Sequence, residues 1–215
     1  MKKIVIFGSG GFAREVVHLI EDINERNKEW ELIGFIDDNE DNHGKTLNGV
    51  KVLGGREWLK EYSEDIYLAL GIGNPRVKKV IIEDLKKHIH IKFPNLIHPT
   101  VKFSQYNTIG EGNIICEGNI LTCNIDISNF TIINLNCTIG HDVALRDFVT
   151  ILPNASISGN VILNECVDFG TNATIIQGLT VGENSIIGAG AVVVKDIPDS
   201  CTAVGMPAKP IKYHE

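Results

Sequence analysis

The chain has 215 residues, of which 43% are hydrophobic and 22% are charged, and its formal net charge is −7. These proportions are ordinary for a globular protein, and the acidic balance with no basic block argues against nucleic acid as a partner. No apolar run is long enough for a signal-peptide core or a membrane span, and the five cysteines form no CxxC pair, so we expect a cytoplasmic protein with reduced thiols.

The first ninety residues alternate between strand-like and helix-like patterns. Short apolar runs predict three strands, at residues 2–8, 31–37 and 65–71. Three helices are predicted between and after them, over residues 12–25, 56–62 and 74–88. A βαβαβα order gives a small parallel sheet, so we predict a Rossmann-like α/β domain over residues 1–95.

Three loops of this domain carry residues typical of nucleotide binding. The segment "GSGGFA" places Gly8, Gly10 and Ala13 in a GxGxxA pattern, in which glycines let the backbone approach a phosphate at a helix N-terminus. The loops after the second and third strands contain further candidates, Asp37, Asp38, Gly73 and Asn74. Carboxyl ends of parallel strands are where such sheets bind ligands. The alternative is that these glycines only make tight turns; the short domain favours one nucleotide over NAD.

From Ile97 onward, every sixth residue is apolar. The run continues without a slip through seventeen positions: Ile97, Phe103, Ile109, Ile115, Leu121, Ile127, Ile133, Ile139, Leu145, Ile151, Ile157, Leu163, Phe169, Ile175, Val181, Ile187 and Val193. Neither a strand, with period two, nor a helix, with period 3.6, explains a period of six. A triangular parallel β-helix does, because each coil then has three six-residue faces and stacks about 4.8 Å from the next. We predict about five coils of this fold between residues 97 and 193, within a domain that covers residues 96–215 and includes a C-terminal extension.

His141 and Asp142 form a pair that this repeat does not require. They follow the core position Ile139, so they lie at a corner of the β-helix. An imidazole there could take a proton from an amine or hydroxyl, with the carboxylate orienting the ring. One coil further on the same column is Gly159, which would leave open space beside the ring. The alternative is an exposed turn histidine followed by a turn-forming aspartate.

Other signals of chemistry are sparse. No histidine or cysteine cluster has metal-ligand spacing, and no Ser-His-Asp set is legible, so no metal is expected. After the last repeat, "GMPAK" carries Lys209 in an extended segment. This lysine could meet a phosphate, or it could be an ordinary solvated lysine.

Together these features resemble the bacterial sugar O- and N-acyltransferases, a hexapeptide-repeat family that includes sialic acid O-acetyltransferases and PglD-type nucleotide-amino-sugar N-acetyltransferases. The resemblance covers nearly the whole chain, through "IFGSGGFAREV", "IGFIDD", "LALGIGN", "LIHPTV", "INLNCTIGHD" and "VGMPAKPIK". It implies a left-handed β-helix and a homotrimer, with acetyl-CoA bound as co-substrate in the cleft between neighbouring β-helices.

The same resemblance implies roles for individual residues. His141 matches the family's general base, beside the acidic Asp142. Contact with the nucleotide-linked sugar is implied for Gly8, Gly10, Gly11, Asp37, Asp38, Gly73, Asn74 and Asn134. Contact with acetyl-CoA is implied for Gly159, Gly170, Thr171, Gly188, Ala189 and Lys209. Thr150 stands where several relatives carry a second histidine, and its hydroxyl could donate a hydrogen bond to the acyl group instead.

The function expected from this resemblance is transfer of an acetyl group from acetyl-CoA to the 4-amino group of a nucleotide-linked 4-amino-4,6-dideoxy sugar. The sequence does not separate amine from hydroxyl acceptors, so O-acetylation of sialic acid or a related sugar is an alternative. A non-catalytic nucleotide-sugar-binding protein is another. The nucleotide base and the sugar stereochemistry are not specified by the sequence.

Overall fold

The structure is a computed structural model that describes residues 1–214, and the chain divides into two compact units. One unit comprises residues 1–73 and 77–99, and the other comprises residues 74–76 and the chain from 100 onward. Each unit has its own sheet architecture and its own buried core.

The first unit is an α/β fold whose elements follow the predicted order. They are β1 (Lys2–Phe7), α1 (Gly11–Arg26), β2 (Trp30–Ile36), β3 (Thr46–Leu47), β4 (Val50–Gly54), α2 (Arg56–Glu61), β5 (Ile66–Leu70), α3 (Pro75–Leu85), β6 (Ile91–Lys92) and β7 (Leu96–Ile97), with one 3₁₀ turn at Glu40–Asn42. Six strands form one sheet in the order β3-β4-β2-β1-β5-β6, parallel except for β3. Fully buried Ile4, Ile6 and Phe35 fill its centre.

The predicted strands and helices of this unit are confirmed, and the structure adds four short strands. Two of them, β3 and β4, form a hairpin whose turn residues Asn48 and Gly49 both have positive φ. An Asn-Gly pair is the usual sequence signal for such a turn, so this hairpin could have been found in "TLNGVK". β6 and β7 have two residues each, which is too short for any periodicity to be detected.

The second unit is the parallel β-helix that the six-residue period predicts, in the left-handed form that the family resemblance implies. Its strands have two residues each: β8 (Thr108–Ile109), β9 (Ile114–Ile115), β10 (Ile120–Leu121), β11 (Asp126–Ile127), β12 (Ile132–Ile133), β13 (Thr138–Ile139), β14 (Ala144–Leu145), β15 (Thr150–Ile151), β16 (Ser156–Ile157), β17 (Ile162–Leu163), β18 (Asp168–Phe169), β19 (Thr174–Ile175), β20 (Thr180–Val181), β21 (Ile186–Ile187) and β22 (Val192–Val193). The second residue of each strand is the predicted core position. Leu145 and Leu163, for example, are fully buried.

Three faces make up the β-helix. The first face holds β8, β11, β14, β17 and β20; the second holds β9, β12, β15, β18 and β21; the third holds β10, β13, β16, β19 and β22. Every pairing within a face joins residues eighteen apart, as Thr138 does with Ser156. One coil is therefore eighteen residues, without a bulge or insertion.

A left-handed backbone conformation recurs at every corner. It occurs three residues after each core position from Ile109 to Ile187, at Gly112, Gly118, Asn124, Phe130, Asn136, Asp142, Phe148, Asn154, Asn160, Cys166, Asn172, Gly178, Asn184 and Gly190. Glycine, asparagine and aspartate adopt this conformation most easily, which explains most of these residue types. Phe130 and Phe148 do not fit that preference, but their rings are buried and stack at 5.4 Å between centroids.

The end of the chain forms a hairpin on the last coil. β23 (Cys201–Val204) pairs in parallel with β21 of the second face, and β24 (Lys209–Tyr213) pairs antiparallel with β23. The segment carrying Lys209 is extended, as the sequence predicts, but it is a paired strand and not a free tail.

Candidate active site

His141 and Asp142 lie at the corner that joins the third face to the first, between β13 and β14. We call this the His141 corner: residues 140–143 and their equivalents 122–125, 158–161 and 176–179 in the other coils. The imidazole Nδ1 lies 2.7 Å from Asp142 Oδ2, and the two side chains are 58% and 45% exposed. The pair is thus a hydrogen-bonded unit that faces outward, where a substrate can reach it.

Asp142 determines which ring nitrogen of His141 is available. The hydrogen bond from His141, followed by one from Asn124, holds the pKa of the Asp142 carboxyl below its usual range, so it is ionised at neutral pH. An ionised carboxylate can only accept a hydrogen bond, so Nδ1 carries the hydrogen. In the neutral ring, Nε2 then keeps its lone pair and is free to accept a proton.

The neighbouring coil leaves no room for a side chain beside this nitrogen. A Cβ atom at Gly159 would lie 2.6 Å from both Nε2 and Cε1 of His141. The open space expected at Gly159 is therefore occupied by the imidazole ring itself. The coil register agrees, because the N–H of Asn160 donates to the His141 carbonyl and that of Asp142 donates to the Cys123 carbonyl.

A second set of predicted residues lies at a different corner. Asn134, Gly170 and Gly188 share one column after the second face, and Thr171 and Ala189 form the next column. We call this the Asn134 corner: residues 134–137 and their equivalents 152–155, 170–173 and 188–191. It joins the second face to the third, so the whole third face separates it from the His141 corner. Within one chain, the structure does not bring these two sets together.

Packing already explains two of the glycines at the Asn134 corner. A Cβ at Gly170 would lie 2.4 Å from the Ile187 carbonyl oxygen, and one at Gly188 would lie 2.7 Å from Val204. These positions need glycine because the next layer of chain comes close. Gly190, which sequence reasoning missed, is different: it has positive φ and nothing within 4 Å of its Cβ position.

The remaining predicted residues of the β-helix lie elsewhere. Asn134 is 7% exposed, and its Oδ1 accepts a hydrogen bond of 2.7 Å from the Leu135 N–H. Thr150 is 1% exposed, on β15 of the second face. Lys209 begins β24 and is exposed, opposite Val204. A direct contact of Thr150 with an acyl group would need this buried hydroxyl to be uncovered.

In the first unit, the glycine loop after β1 leaves open space at the start of α1. Gly8 has positive φ and lies close to Gly71, whereas a Cβ at Gly10 or Gly11 would meet nothing within 4 Å. The helix has no acidic residue in its first turn and no side-chain cap at Gly10. Its N–H groups can therefore face an anionic ligand such as a phosphate.

The two aspartates after β2 have different environments. Asp37 accepts a hydrogen bond from the Ser9 hydroxyl of the glycine loop, which is 7% exposed, and one from Asn42. Asp38 instead accepts hydrogen bonds from the backbone and guanidinium of Arg56. Burial raises the pKa of Asp38, but the Arg56 hydrogen bonds outweigh it and lower the pKa overall. Asp38 is thus held by an arginine, and Ser9, Asn42 and Arg56 are partners of the two candidate aspartates that the sequence patterns missed.

The third loop follows β5, the strand beside β1. Gly73 has open space at its Cβ position. The Asn74 Oδ1 accepts a hydrogen bond from the Arg76 N–H, so this side chain caps the start of α3. The glycines of the first and third loops therefore leave room for a ligand, whereas Asn74 has a structural task of its own.

Metal-binding clusters and membrane-spanning helices are both absent from residues 1–214. No group of His, Cys, Asp and Glu side chains in that part of the chain could hold a metal ion. None of its helices has the length and apolar character needed to cross a bilayer.

Comparison with known proteins gives consistent matches. Residues 3–85 match the model of the PglD N-terminal domain. The acetyltransferase domain of PglB from Neisseria gonorrhoeae, solved in complex with acetyl coenzyme A, is 31% identical, with a TM-score of 0.87 over 98% of this chain and 99% of that one. PerB from Caulobacter crescentus, solved with CoA and GDP-perosamine, is 29% identical, with a TM-score of 0.89 over 99% and 98%.

WeeI from Acinetobacter baumannii is 26% identical, with a TM-score of 0.79 over 98% of this chain and 100% of that one. No curated protein matches the sequence. The match to PglB extends over both units, and its identity is high enough to show kinship and not only a shared fold. The chain therefore belongs to the family of hexapeptide-repeat sugar acetyltransferases that includes PglD, the PglB acetyltransferase domain and PerB.

Proposed function

We propose that this enzyme transfers the acetyl group of acetyl-CoA to the 4-amino group of a nucleotide-linked 4-amino-4,6-dideoxy sugar, with His141 as the general base. The observation that carries the proposal is the His141–Asp142 unit. It combines a carboxylate 2.7 Å from Nδ1 with an imidazole side chain that is 58% exposed. A β-helix does not need this arrangement, and proton transfer does.

The chemistry is a direct transfer. The amine nitrogen attacks the thioester carbonyl carbon while Nε2 of His141 accepts its proton, and Asp142 stabilises the imidazolium that forms. The carbon–sulfur bond then breaks, CoA leaves as the thiolate, and the thiolate takes up the proton. No covalent enzyme intermediate is required.

A backbone N–H beside the base is suited to stabilise the developing oxyanion. Among residues 1–214, the Gly159 N–H donates to no other group, and Gly159 lies directly against Nε2 of His141. A preorganised N–H next to the reacting atoms is the usual device for such a charge.

The nucleotide is proposed to bind in the first unit, with its phosphates at the start of α1 near Gly10 and Gly11. Support comes from the open space at both glycines and from the uncapped helix N-terminus. Asp37 and the neighbouring Ser9 would contact the nucleoside. PerB, solved with GDP-perosamine, provides a precedent for a nucleotide-linked amino sugar as the ligand class.

Acetyl-CoA is proposed to bind between copies of the chain in a homotrimer. The His141 corner and the Asn134 corner lie on opposite edges of the third face, so one β-helix cannot bring them to the same thioester. A neighbouring copy can, because a closed ring places one subunit's corner beside a different corner of the next. Lys209 would then approach the phosphates of the coenzyme. The cytoplasmic location stays a prediction.

The experiment is acetyl-CoA turnover with UDP-, dTDP- and GDP-linked amino sugars, followed by product analysis. We expect one of these sugars to give an amide, which survives mild alkaline hydroxylamine, whereas an acetate ester is cleaved. For His141→Ala we expect kcat/KM to fall about 10²- to 10⁴-fold, the usual contribution of a general base. His18→Ala, at an exposed position on α1, is the matched control and should keep wild-type kinetics.

Two results would contradict the proposal. Wild-type kcat/KM in His141→Ala would show that His141 is not the general base. An ester product would show that the enzyme is an O-acetyltransferase, the alternative function.

A further inference from the structure

Asp142 has a second partner, one coil before it. The side-chain amide of Asn124 donates a hydrogen bond of 3.2 Å to Asp142 Oδ1, while Asp142 Oδ2 lies 2.7 Å from His141 Nδ1. Both carboxylate oxygens are therefore engaged, each by a different residue. Asn124, Asp142 and His141 form a chain of two hydrogen bonds that ends at the base.

These two hydrogen bonds fix the orientation of the Asp142 carboxylate at the His141 corner. The Asp142 side chain is 45% exposed, so packing does not hold its carboxylate in one orientation. Rotation about the terminal bond of aspartate is broad. A donor that fixes one oxygen aims the other oxygen at Nδ1, which in turn keeps the hydrogen on Nδ1 and the lone pair on Nε2.

We propose that Asn124 is a positioning residue that holds Asp142 in the orientation required for His141 to act as a base. The inference rests on the proposed function of His141. Asn124 touches neither substrate nor coenzyme in this proposal and acts only through Asp142.

Two explanations account for asparagine at position 124, its hydrogen bond to Asp142 and its backbone conformation, and an experiment must separate them. Asn124 has φ of 56° and belongs to the left-handed corner column that Asp142, Asn160 and Gly178 continue. The backbone alone would favour asparagine or glycine there. Asn160, two coils after Asn124 in the same column, makes no side-chain hydrogen bond within residues 1–214, and the next residue of the column, Gly178, offers no side-chain acceptor. The contact of Asn124 thus depends on the carboxylate of Asp142 and not on the column alone.

Substitution of Asn124 by glycine separates these two explanations. Asn124→Gly removes the amide but keeps a residue that adopts positive φ without strain. Asn184→Gly makes the same change at a left-handed corner between the first and second faces, with φ of 57° and outside both the His141 corner and the Asn134 corner, and is the matched control. Asn124→Asp keeps the shape of the side chain, but it replaces the donor with a carboxylate that repels Asp142.

The first measurement is steady-state kinetics of the full-length variants with acetyl-CoA and the acceptor sugar. We expect kcat of Asn124→Gly to fall about tenfold, the equivalent of one ordinary hydrogen bond, with KM values changing less than about twofold. Asn124→Asp should lose more than Asn124→Gly. Asn184→Gly should keep wild-type kcat.

The second measurement is the ring tautomer of His141 by ¹⁵N NMR, which does not depend on turnover. Wild type and Asn184→Gly should show the Nδ1–H form, whereas Asn124→Gly should show a mixture of both tautomers. An unchanged tautomer in Asn124→Gly, or a loss of kcat no greater than in Asn184→Gly, would overturn the positioning role.

These outcomes are distinguishable from failure of the proposed function. If His141→Ala is inactive and Asn124→Gly is normal, His141 is the base and Asn124 is only a corner residue. If His141→Ala is fully active, the base assignment fails. The NMR result then still reports whether Asn124 orients the pair.

Discussion

Gly159 controls the distance between His141 and the next coil of the β-helix. Because its φ is not in the left-handed region, an alanine at this position suits the backbone. The new methyl group would lie 2.6 Å from Nε2, so the imidazole would have to move away. The glycine is therefore required by the side chain of the base and not by the turn.

For Gly159→Ala we expect kcat/KM to fall about 100-fold, because displacement of a catalytic group by about 1 Å has effects of that size. Stability should change little, since the contacted atoms are the free end of a side chain. Kinetics and urea unfolding of Gly159→Ala and of the neighbouring Ser158→Ala check this expectation. Equal kinetics in the two variants would show that the ring adapts at no cost.

Cys123 offers a chemical probe of the same corner. Of the five cysteines, Cys123 is exposed and the other four are buried. Burial raises the pKa of the Cys137 thiol to about 11, so that thiol is protonated and unreactive at neutral pH. Cys123 precedes His141 by one coil, and its carbonyl accepts the Asp142 N–H.

We expect N-ethylmaleimide to modify Cys123 selectively and to abolish acetyl transfer, because the adduct lies beside His141. Mass spectrometry of the intact chain counts the adducts, and residual activity is measured in parallel. Cys123→Ser should stay active after the same treatment. Inactivation of Cys123→Ser would locate the sensitive thiol elsewhere.

The sequence was sufficient to predict His141 and Asp142 as a pair, but not the contacts that organise them. Asn124 lies eighteen residues before Asp142, so its column could be read from the coil length. The direction of its amide could not, because an asparagine at a left-handed corner is expected for backbone reasons alone. Asp38 shows the converse: its acidic character suggested a ligand contact, but its Arg56 partner could not be predicted from the pattern.

Among the elements, the two-residue strands of the β-helix separate inside from outside at adjacent positions. On β13, Ile139 is 1% exposed and belongs to the core, whereas its neighbour Thr138 is exposed. A strand of two residues makes few hydrogen bonds of its own. The stack is therefore also stabilised by burial of aliphatic side chains from every face, such as Val143 and Leu145 at the first face.

We expect Ile139→Ala to lower the free energy of unfolding by about 2–5 kcal/mol, through lost burial and the cavity left behind. Thr138→Ala should change it by less than about 0.5 kcal/mol, as surface substitutions usually do. Urea unfolding followed by circular dichroism at one protein concentration gives both values. Similar losses in the two variants would contradict the assignment of inside and outside on this strand.

The elements of the β-helix were predictable because a period of six excludes helices and ordinary strands. The β3–β4 hairpin was not identified from its apolar pattern, since only Val52 among its residues is fully buried. Its signal was the turn chemistry of Asn48 and Gly49 and not hydrophobicity. Periodicity thus finds elements that bury a repeated face, and it misses those that a turn determines.

At the scale of the whole molecule, the separation of the His141 corner from the Asn134 corner predicts that a complete active site needs a second copy of the chain. If each active site combines the His141 corner of one copy with the Asn134 corner of another, two inactive variants can complement each other. His141→Ala damages one corner, and Thr171→Trp, at a half-buried position, would block the other. Each variant alone should be inactive.

Co-expression of the two variants in equal amounts should restore about a quarter of wild-type activity, because one interface in four then joins two intact corners. Native mass spectrometry should give three times the mass of one chain for every preparation. No recovery of activity in confirmed mixed trimers would place the complete site within a single copy.

The eighteen-residue register has a consequence for how such an enzyme can change. Adding or removing one residue between His141 and Val193 would turn core side chains outward. The part of the β-helix between His141 and the terminal hairpin can therefore lengthen only by whole coils, each of which adds about 4.8 Å. The hairpin that carries Lys209 is stacked on the last coil. The position of Lys209 along the axis of the β-helix, relative to His141, can therefore change only in steps of one coil.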